Sequence, residues 1–280
     1  MQRFLSKTLK YQEILLINDL QEGLMAGNPD MSIVVPVFGS DITLAPLYQR
    51  TVAAVSPVTE NFEMILVDDC GPGKPWEIIG ALAKQDSRVI GLKLAKNFGQ
   101  HSAIKAGVDL ARGQWIVVMD CDLQDRPEEI PRFWGKTQEG CDVVVGRRLE
   151  RQDGIMTRMF SRIFHGLLRL TTRRQSDAAQ SNFGIYSRRV IDKINTLPEQ
   201  PFYLSLLVRR AGFDVTPIDV EHDKRPYGKS GYTFRRRLSL AVDILASSYD
   251  YPFKMFPLFG FFNHSRRKPL YVVKEQIRMM

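Results

Sequence analysis

From residue 31 onward the chain alternates short β-branched runs with longer helical stretches, and this alternation limits the fold more than any other feature. Strands are predicted at 32–38, 63–68, 89–94, 115–119 and 142–145, with helices at 44–55, 76–84, 102–112 and 127–138 between them. The strand runs are continuously apolar, which marks strands covered on both sides. The pattern therefore predicts an α/β fold, a mostly parallel sheet with helices on both faces. Ligands in such sheets sit beyond the carboxyl ends of the strands, so the polar residues that follow each strand are the candidates for chemistry. The second half is less regular, with a helix at 155–170, strands at 183–186 and 215–220, and a helix near 202–210.

Three segments are expected. Residues 1–30 read as an N-terminal helical extension with a loose stripe of Leu5, Leu9, Ile14, Leu15 and Leu16, ended by Gly27-Asn28-Pro29-Asp30. Residues 31–231 form the α/β domain, and 232–280 form a basic, aromatic C-terminal segment. A hydrophobic content of 44% supports a packed core and excludes disorder as the general state. The net charge of +8 lies wholly at one end. Residues 223–280 hold 12 basic and 4 acidic side chains (12 − 4 = +8), and the remainder balances at 27 of each. The three cysteines, Cys70, Cys121 and Cys141, form no CxxC pair and fit a reducing compartment. Lys7, Lys10, Glu13 and Asp19 interrupt the N-terminal apolar run, so no signal peptide is predicted. No stretch of about 18 uncharged apolar residues occurs, so no spanning helix is predicted either.

The sharpest chemical signal follows the fourth strand, in Met119-Asp120-Cys121-Asp122-Leu123-Gln124-Asp125. If the segment stays extended, Asp120 and Asp122 point the same way, with Gln124 next on that side. Clustered carboxylate and amide oxygens suit Mg²⁺ or Mn²⁺, and such an ion neutralises a diphosphate leaving group. The plainer reading is an acidic loop in which Asp125 caps the helix starting at Pro127. Asp68 and Asp69, after the second strand, are either turn formers before Gly71-Pro72-Gly73 or acceptors for a nucleobase or ribose. Gly73-Lys74 and Gly228-Lys229-Ser230 lack the glycine spacing of a phosphate loop, and no GxGxxG follows a strand, which disfavours a dinucleotide site.

Taken in order, VVPVF, LVDDCGPG, KNFGQHSAIKAGVDLARGQWIVVMDCDLQDRPEEI, VVGRR and QSNFGIYSRRV resemble the family 2 inverting glycosyltransferases. The resemblance covers about residues 31–235 and is greatest to polyprenyl-phosphate sugar transferases such as dolichyl-phosphate mannose synthase and bacterial undecaprenyl-phosphate glycosyltransferases. It implies a GT-A fold over 31–231. By position it implies that Pro36, Val37, Asp68 and Asp69 bind the nucleoside of a nucleotide diphosphate sugar and that Asn97 and Gly99 shape the loop beside it. It further implies that Asp120, Asp122 and Gln124 hold Mg²⁺ or Mn²⁺, and that Arg147 and Arg148 grip an anionic acceptor or the diphosphate. A solvated basic turn is the other reading of that arginine pair. The implied reaction inverts the anomeric carbon. Many relatives carry an aspartate where this chain has Asn182, which cannot take a proton; a lipid-phosphate acceptor, already anionic, needs no strong base.

His222, Arg225 and Lys229 are read as a flap over the diphosphate or lipid phosphate, or else as a basic loop without substrate contact. Residues 238–262 are aromatic but broken by Asp243, Asp250, Pro252, Lys254 and Pro257, so they are expected to lie at a membrane interface or to drive oligomerisation. Arg235, Arg236 and Arg237 would add attraction to an anionic membrane surface. The expectation is an enzyme peripheral to the cytoplasmic face of the membrane, acting on a polyprenyl-phosphate acceptor. A hydroxyl of a lipid-linked saccharide and a non-catalytic basic binding module are the alternatives, and no nucleic-acid motif accompanies the charge.

Overall fold

The computed structural model describes residues 27–148, 180–197, 202–221, 223 and 270–279. The predicted helix at 155–170, nearly all of the 1–30 extension, the flap residues His222, Arg225 and Lys229, and the interfacial stretch 238–262 lie outside the described residues.

The centre of the sheet is β1 (Met31–Val37), paired in parallel with β2 (Phe62–Asp68) on one side and β4 (Trp115–Val118) on the other. On the β2 flank, β3 (Val89–Leu94) continues in parallel, and β8 (Val273–Ile277) closes the edge antiparallel to β3. On the β4 flank, β6 (Gln180–Ser187) runs antiparallel between β4 and β5 (Val143–Arg148), and β7 (Thr216–Val220) lies parallel to β5 at the outer edge. The order across the eight strands is β7-β5-β6-β4-β1-β2-β3-β8.

Among the described residues six helices cover the sheet: α1 (Asp41–Val55), α2 (Pro75–Gln85), α3 (Gln100–Leu110), α4 (Ile130–Gln138), α5 (Arg188–Asn195) and α6 (Leu204–Arg210). Strand alternation sorts the core into two layers. Ile33, Val35, Met64 and Leu66 pack against Leu44 and Leu47 of α1, Ile79 of α2 and Phe133 of α4. Their neighbours Val34, Ile65 and Val67 point the other way, towards Ala103 and Ile104 of α3, Val190 and Ile191 of α5 and Leu204 of α6. Each large side chain so buried is worth roughly 1.5–3 kcal/mol, which is why the continuous apolar runs become central strands.

Two expectations are corrected. Residues 232–280 are not wholly separate from the domain at 31–231, since Val273–Ile277 is a strand of its sheet. Three contacts fasten that strand: the Ala95 amide donates to the Val272 carbonyl at 2.7 Å, the Trp76 indole N–H to Glu275 at 3.0 Å, and the Tyr271 hydroxyl to Asp109 at 2.7 Å. The predicted helix at 127–138 is a 3₁₀ turn, Pro127–Glu129, followed by α4. Among the described residues no helix is long and apolar enough to cross a membrane.

At the amino ends of the strands, Glu63 is buried and fully engaged. It accepts from the Ser32 hydroxyl at 2.7 Å, the Arg112 amide at 2.7 Å and the Arg112 guanidinium at 3.0 Å. The Ser32 hydroxyl oxygen in turn accepts the Gly113 amide at 2.7 Å.

A second anchored acid gives a pH prediction. Arg88 hydrogen-bonds Asp86 through its side chain, and the Arg88 amide and Tyr48 hydroxyl add to this, holding the Asp86 carboxyl down at about 2 against an ordinary 3.8. Because the folded value lies below the unfolded one, the stabilisation is present above about pH 4 and is lost as pH falls towards 2. We expect Asp86→Asn to cost about 1–2 kcal/mol at neutral pH. It should also flatten the pH 4 to 2 limb of a urea-denaturation series; an unchanged acid limb would show that Asp86 contributes nothing there.

Candidate active site

Three carboxyl strand ends meet at one rim of the sheet. At the end of β1, Pro36 and Val37 are both buried, and the Val37 side chain belongs to the core. Exposure begins at Phe38, which is 49% exposed. Side-chain contact between Val37 and a nucleoside is therefore not supported. The β1 and β2 ends are packed tightly together: a Cβ on Gly71 would come within 2.0 Å of the Gly39 nitrogen, so only glycine fits.

Asp68 and Asp69 differ in role. Asp68 accepts from the Cys70 amide at 3.1 Å, a turn contact, and burial raises its carboxyl above the ordinary value while Lys93 pulls it back. Asp69 is 2% exposed, and its carboxylate reaches away from its own turn. One oxygen accepts the Phe98 amide at 2.7 Å and the other the Gly99 amide at 2.8 Å, while the Asp69 amide donates to the Val37 carbonyl at 2.9 Å. The loop after β3 is thus pinned to the end of β2. Asn97 is exposed on this loop, and Gly99 adopts φ 93° and ψ 157°, a conformation that side-chain-bearing residues avoid.

The acidic segment after β4 is a turn, which corrects its expected geometry. The strand stops at Val118, and Leu123 takes a left-handed φ of 62°, so strand alternation does not carry on to Gln124. Asp120 and Asp122 are half-buried at the turn. Asp120 accepts from the Gln100 side-chain amide at 2.6 Å, and Asp122 accepts from the Gln124 backbone amide at 3.1 Å. The Gln124 carbonyl accepts the Asp223 amide at 3.1 Å, linking the turn to the chain after β7. Below it, the Thr43 hydroxyl donates to the Cys121 carbonyl at 2.7 Å, tying the turn to α1. Asp125 is buried under the turn, 3.4 Å from the Asp120 amide, and the 3₁₀ turn at Pro127 has no side-chain cap, so the capping role expected of Asp125 is not found.

This donor set suits a hard divalent ion. The residues at the mouth of the turn offer carboxylate oxygens, and the Cys121 thiol between them is pushed up to about 11, chiefly by burial, and stays protonated. Among the described residues no cluster of three or more histidine, cysteine or acidic side chains forms. Two protein carboxylates leave the remaining positions to water and substrate phosphate, the coordination Mg²⁺ and Mn²⁺ prefer.

Arg147 and Arg148 end β5, which points to the same rim as β4. The pairing places Arg147 near the level of Asp120 but two strands away, roughly 10 Å at ~4.8 Å per strand. Its guanidinium donates to Asp219 of β7 at 2.6 Å. The Arg148 side chain lies outside the described residues. Sequence reasoning missed three contributors. Gln100 sits inside a quoted motif but had no assigned role. Arg126 pairs with Glu221 and approaches Asp223 at 3.8 Å, and Arg50 bridges Glu128 at 2.8 Å and Asp223 at 3.6 Å. These pairs join residues far apart in sequence, and no local pattern announces them.

The model of the family described as "Glycosyl transferase family 2" matches residues 32–194, which run from the second residue of β1 through β6 and include Asp68, Asp69, the Asp120–Asp122 turn and Arg147. The chain belongs to glycosyl transferase family 2. This family 2 glycosyltransferase is 32% identical over 231 residues to the undecaprenyl-phosphate 4-deoxy-4-formamido-L-arabinose transferase of Photorhabdus laumondii, covering 82% of this chain and 71% of that one. It is 34% identical over 231 residues to the enzyme of the same name from Shewanella sediminis, with 82% and 70% covered. Its fold is similar to that of glucosyl-3-phosphoglycerate synthase from M. tuberculosis, with a TM-score of 0.55, 17% identity and 79% and 81% of the two chains covered. It is also similar to a mannosyltransferase from Pyrobaculum calidifontis solved with GDP-Man and Mn²⁺, with a TM-score of 0.54, 14% identity and 85% and 73% covered. The family 2 glycosyltransferase thus has the expected GT-A fold.

Proposed function

We propose that this glycosyltransferase moves a sugar from a nucleotide diphosphate sugar to a polyprenyl phosphate, with inversion, while seated peripherally at the cytoplasmic face of a membrane. The observation that carries the acceptor is the relationship to undecaprenyl-phosphate sugar transferases across 82% of the chain. The nucleoside is placed at the β1 and β2 ends, beside the backbone at Val37, Phe38, Asn97 and Gly99, with Asp68 in the wall. Asp120 and Asp122, with Gln124 assisting, would hold Mg²⁺ or Mn²⁺, and the bound ion supplies charge neutralisation for the diphosphate as it leaves.

In the reaction, the bond from the anomeric carbon to the diphosphate oxygen breaks with its electron pair passing to the nucleoside diphosphate. An oxygen of the lipid phosphate forms the new bond on the opposite face. A phosphate acceptor is anionic at neutral pH, so the reaction needs no base, which agrees with an asparagine at 182. Arg147, with Arg148 beside it, is assigned to the acceptor phosphate or the diphosphate; Arg147 would exchange part of its pairing with Asp219 for the ligand. His222, Arg225 and Lys229 come within eight residues of Glu221 in the sequence, and the resemblance assigns these polar side chains to the phosphates as well.

The test is transfer of radiolabelled sugar from uridine, guanosine and thymidine diphosphate sugars to undecaprenyl phosphate in vesicles. We expect a lipid-extractable product that releases its sugar in mild acid, as a glycosyl phosphate does. A product stable to mild acid, formed only on a saccharide-bearing lipid, would replace the phosphate acceptor with a hydroxyl.

A further inference from the structure

We infer that Asp69, Gly99 and Gln100 form a positioning chain that fixes the Asp120 carboxylate for the cation, so that Asp69 serves the metal side of the site and does not read the nucleoside. This rests on the cation reading proposed above.

A carboxylate turns easily about its last torsion, and an unrestrained one presents its oxygens to a cation only part of the time. In this chain Asp120 is restrained by the side-chain amide of Gln100 at 2.6 Å. A carboxylate only accepts hydrogen bonds, so the facing atom is the amide nitrogen. Each ionised carboxyl offers about four acceptor positions, so the Gln100 amide restrains its orientation without occupying all of them.

Gln100 is itself held. It opens α3 directly after Gly99, whose φ of 93° sets the direction in which the helix starts. The amides of Phe98 and Gly99 are gripped by the two oxygens of Asp69 at 2.7 and 2.8 Å. Asp69 is locked to β1 through the Val37 carbonyl. On the next residue, the His101 ring packs edge-on against Tyr203 with centroids 4.6 Å apart; burial alone pushes its pKa down to about 4, so it stays neutral. The first turn of α3 therefore has fixed anchors on both sides, and the path runs unbroken from the β1 backbone to Asp120.

The same geometry weighs against Asp69 as a reader of the base. It is almost wholly buried, and a nucleobase N–H would compete with the charge-assisted hydrogen bonds to the Phe98 and Gly99 amides that hold the loop. Partners that orient a metal ligand typically account for 10- to 100-fold in metal affinity.

Mn²⁺ binding by the full chain, read from the loss of free Mn²⁺ signal in electron paramagnetic resonance, tests the chain directly. The titrations are run with Mn²⁺ alone and with UDP, GDP or thymidine diphosphate. We expect Gln100→Leu, which removes the side-chain amide that bonds Asp120, to weaken Mn²⁺ binding about 10-fold or more. Asp69→Asn should weaken it in the same direction and leave the ranking of the three diphosphates, measured without metal, as in the parent. Equal Mn²⁺ affinity in Gln100→Leu and the parent overturns the positioning chain while leaving the cation site intact. A changed diphosphate ranking in Asp69→Asn with unchanged Mn²⁺ affinity returns Asp69 to the nucleoside. Absence of Mn²⁺ uptake by the parent chain removes both the cation reading and the inference built on it. Thermal melting of each variant, expected within a few degrees for Gln100→Leu, separates these results from unfolding.

Discussion

Asp122→Asn should lower sugar transfer by about 10²–10³-fold while leaving the fold intact, in keeping with the loss of a group that stabilises a charged leaving group. The substitution removes one negative charge from a two-carboxylate site and replaces a strong oxygen donor with a weak amide carbonyl. It preserves shape, and its amide oxygen can still accept the Gln124 amide, so the turn that presents residue 122 survives. The loss should therefore appear in rate and in Mn²⁺ dependence, with the melting temperature nearly unchanged. Initial rates over a Mn²⁺ series check it. A variant within twofold of the parent at every Mn²⁺ concentration would place the catalytic ion elsewhere.

The largest effect on stability is expected at the opposite rim. Arg112→Met should destabilise the protein by about 3–5 kcal/mol, the usual cost of leaving one member of a buried ion pair without its partner. Glu63 is the buried member, with a side chain 4% exposed against 21% for Arg112. Glu63→Gln should cost much less, because the amide oxygen can keep the Ser32 and Arg112 backbone contacts and the charge left behind, on Arg112, is the more exposed of the pair. Urea denaturation of the two variants measures the contrast. Equal midpoints would mean that the Arg112 guanidinium contributes through packing alone.

The part of the fold that was legible in the sequence is the part whose strands are apolar on both faces. β1 to β4 were found within a residue, and β5 was found at its start but ended three residues short, because their side chains satisfy two helical layers at once. The sequence marks at 183–186 and 215–220 located β6 and β7 but not the antiparallel run of β6, which depends on how the chain returns through residues far from the strand itself. β8 escaped because Val-Lys-Glu-Gln-Ile has no buried face of its own; it is a strand through its bonds to β3. α5, eight residues long, was unread because three buried residues, Val190, Ile191 and Ile194, are too few for a clear period.

The candidate site was legible as a set of acids and not as a shape. Asp120 and Asp122 stand out as candidates from their place after a strand. The bend at Leu123 was not, since nothing about a leucine signals a left-handed backbone. Asp69 was grouped with Asp68 as its neighbour in sequence, yet its hydrogen bonds go to residues 98 and 99, a distance that local pattern reading does not cross.

The edge position of β8 bears on how shortened forms of this chain would behave. While it is in place, the outward surface at that edge carries Lys274 and Glu275, charged side chains that discourage another sheet from adding on. A chain cut before residue 270 would instead present Gly91 to Leu94 with unsatisfied amides and carbonyls along a strand that is otherwise apolar. Such a surface is a template for intermolecular β-pairing, so truncation would convert a self-limiting sheet into one that recruits its own copies.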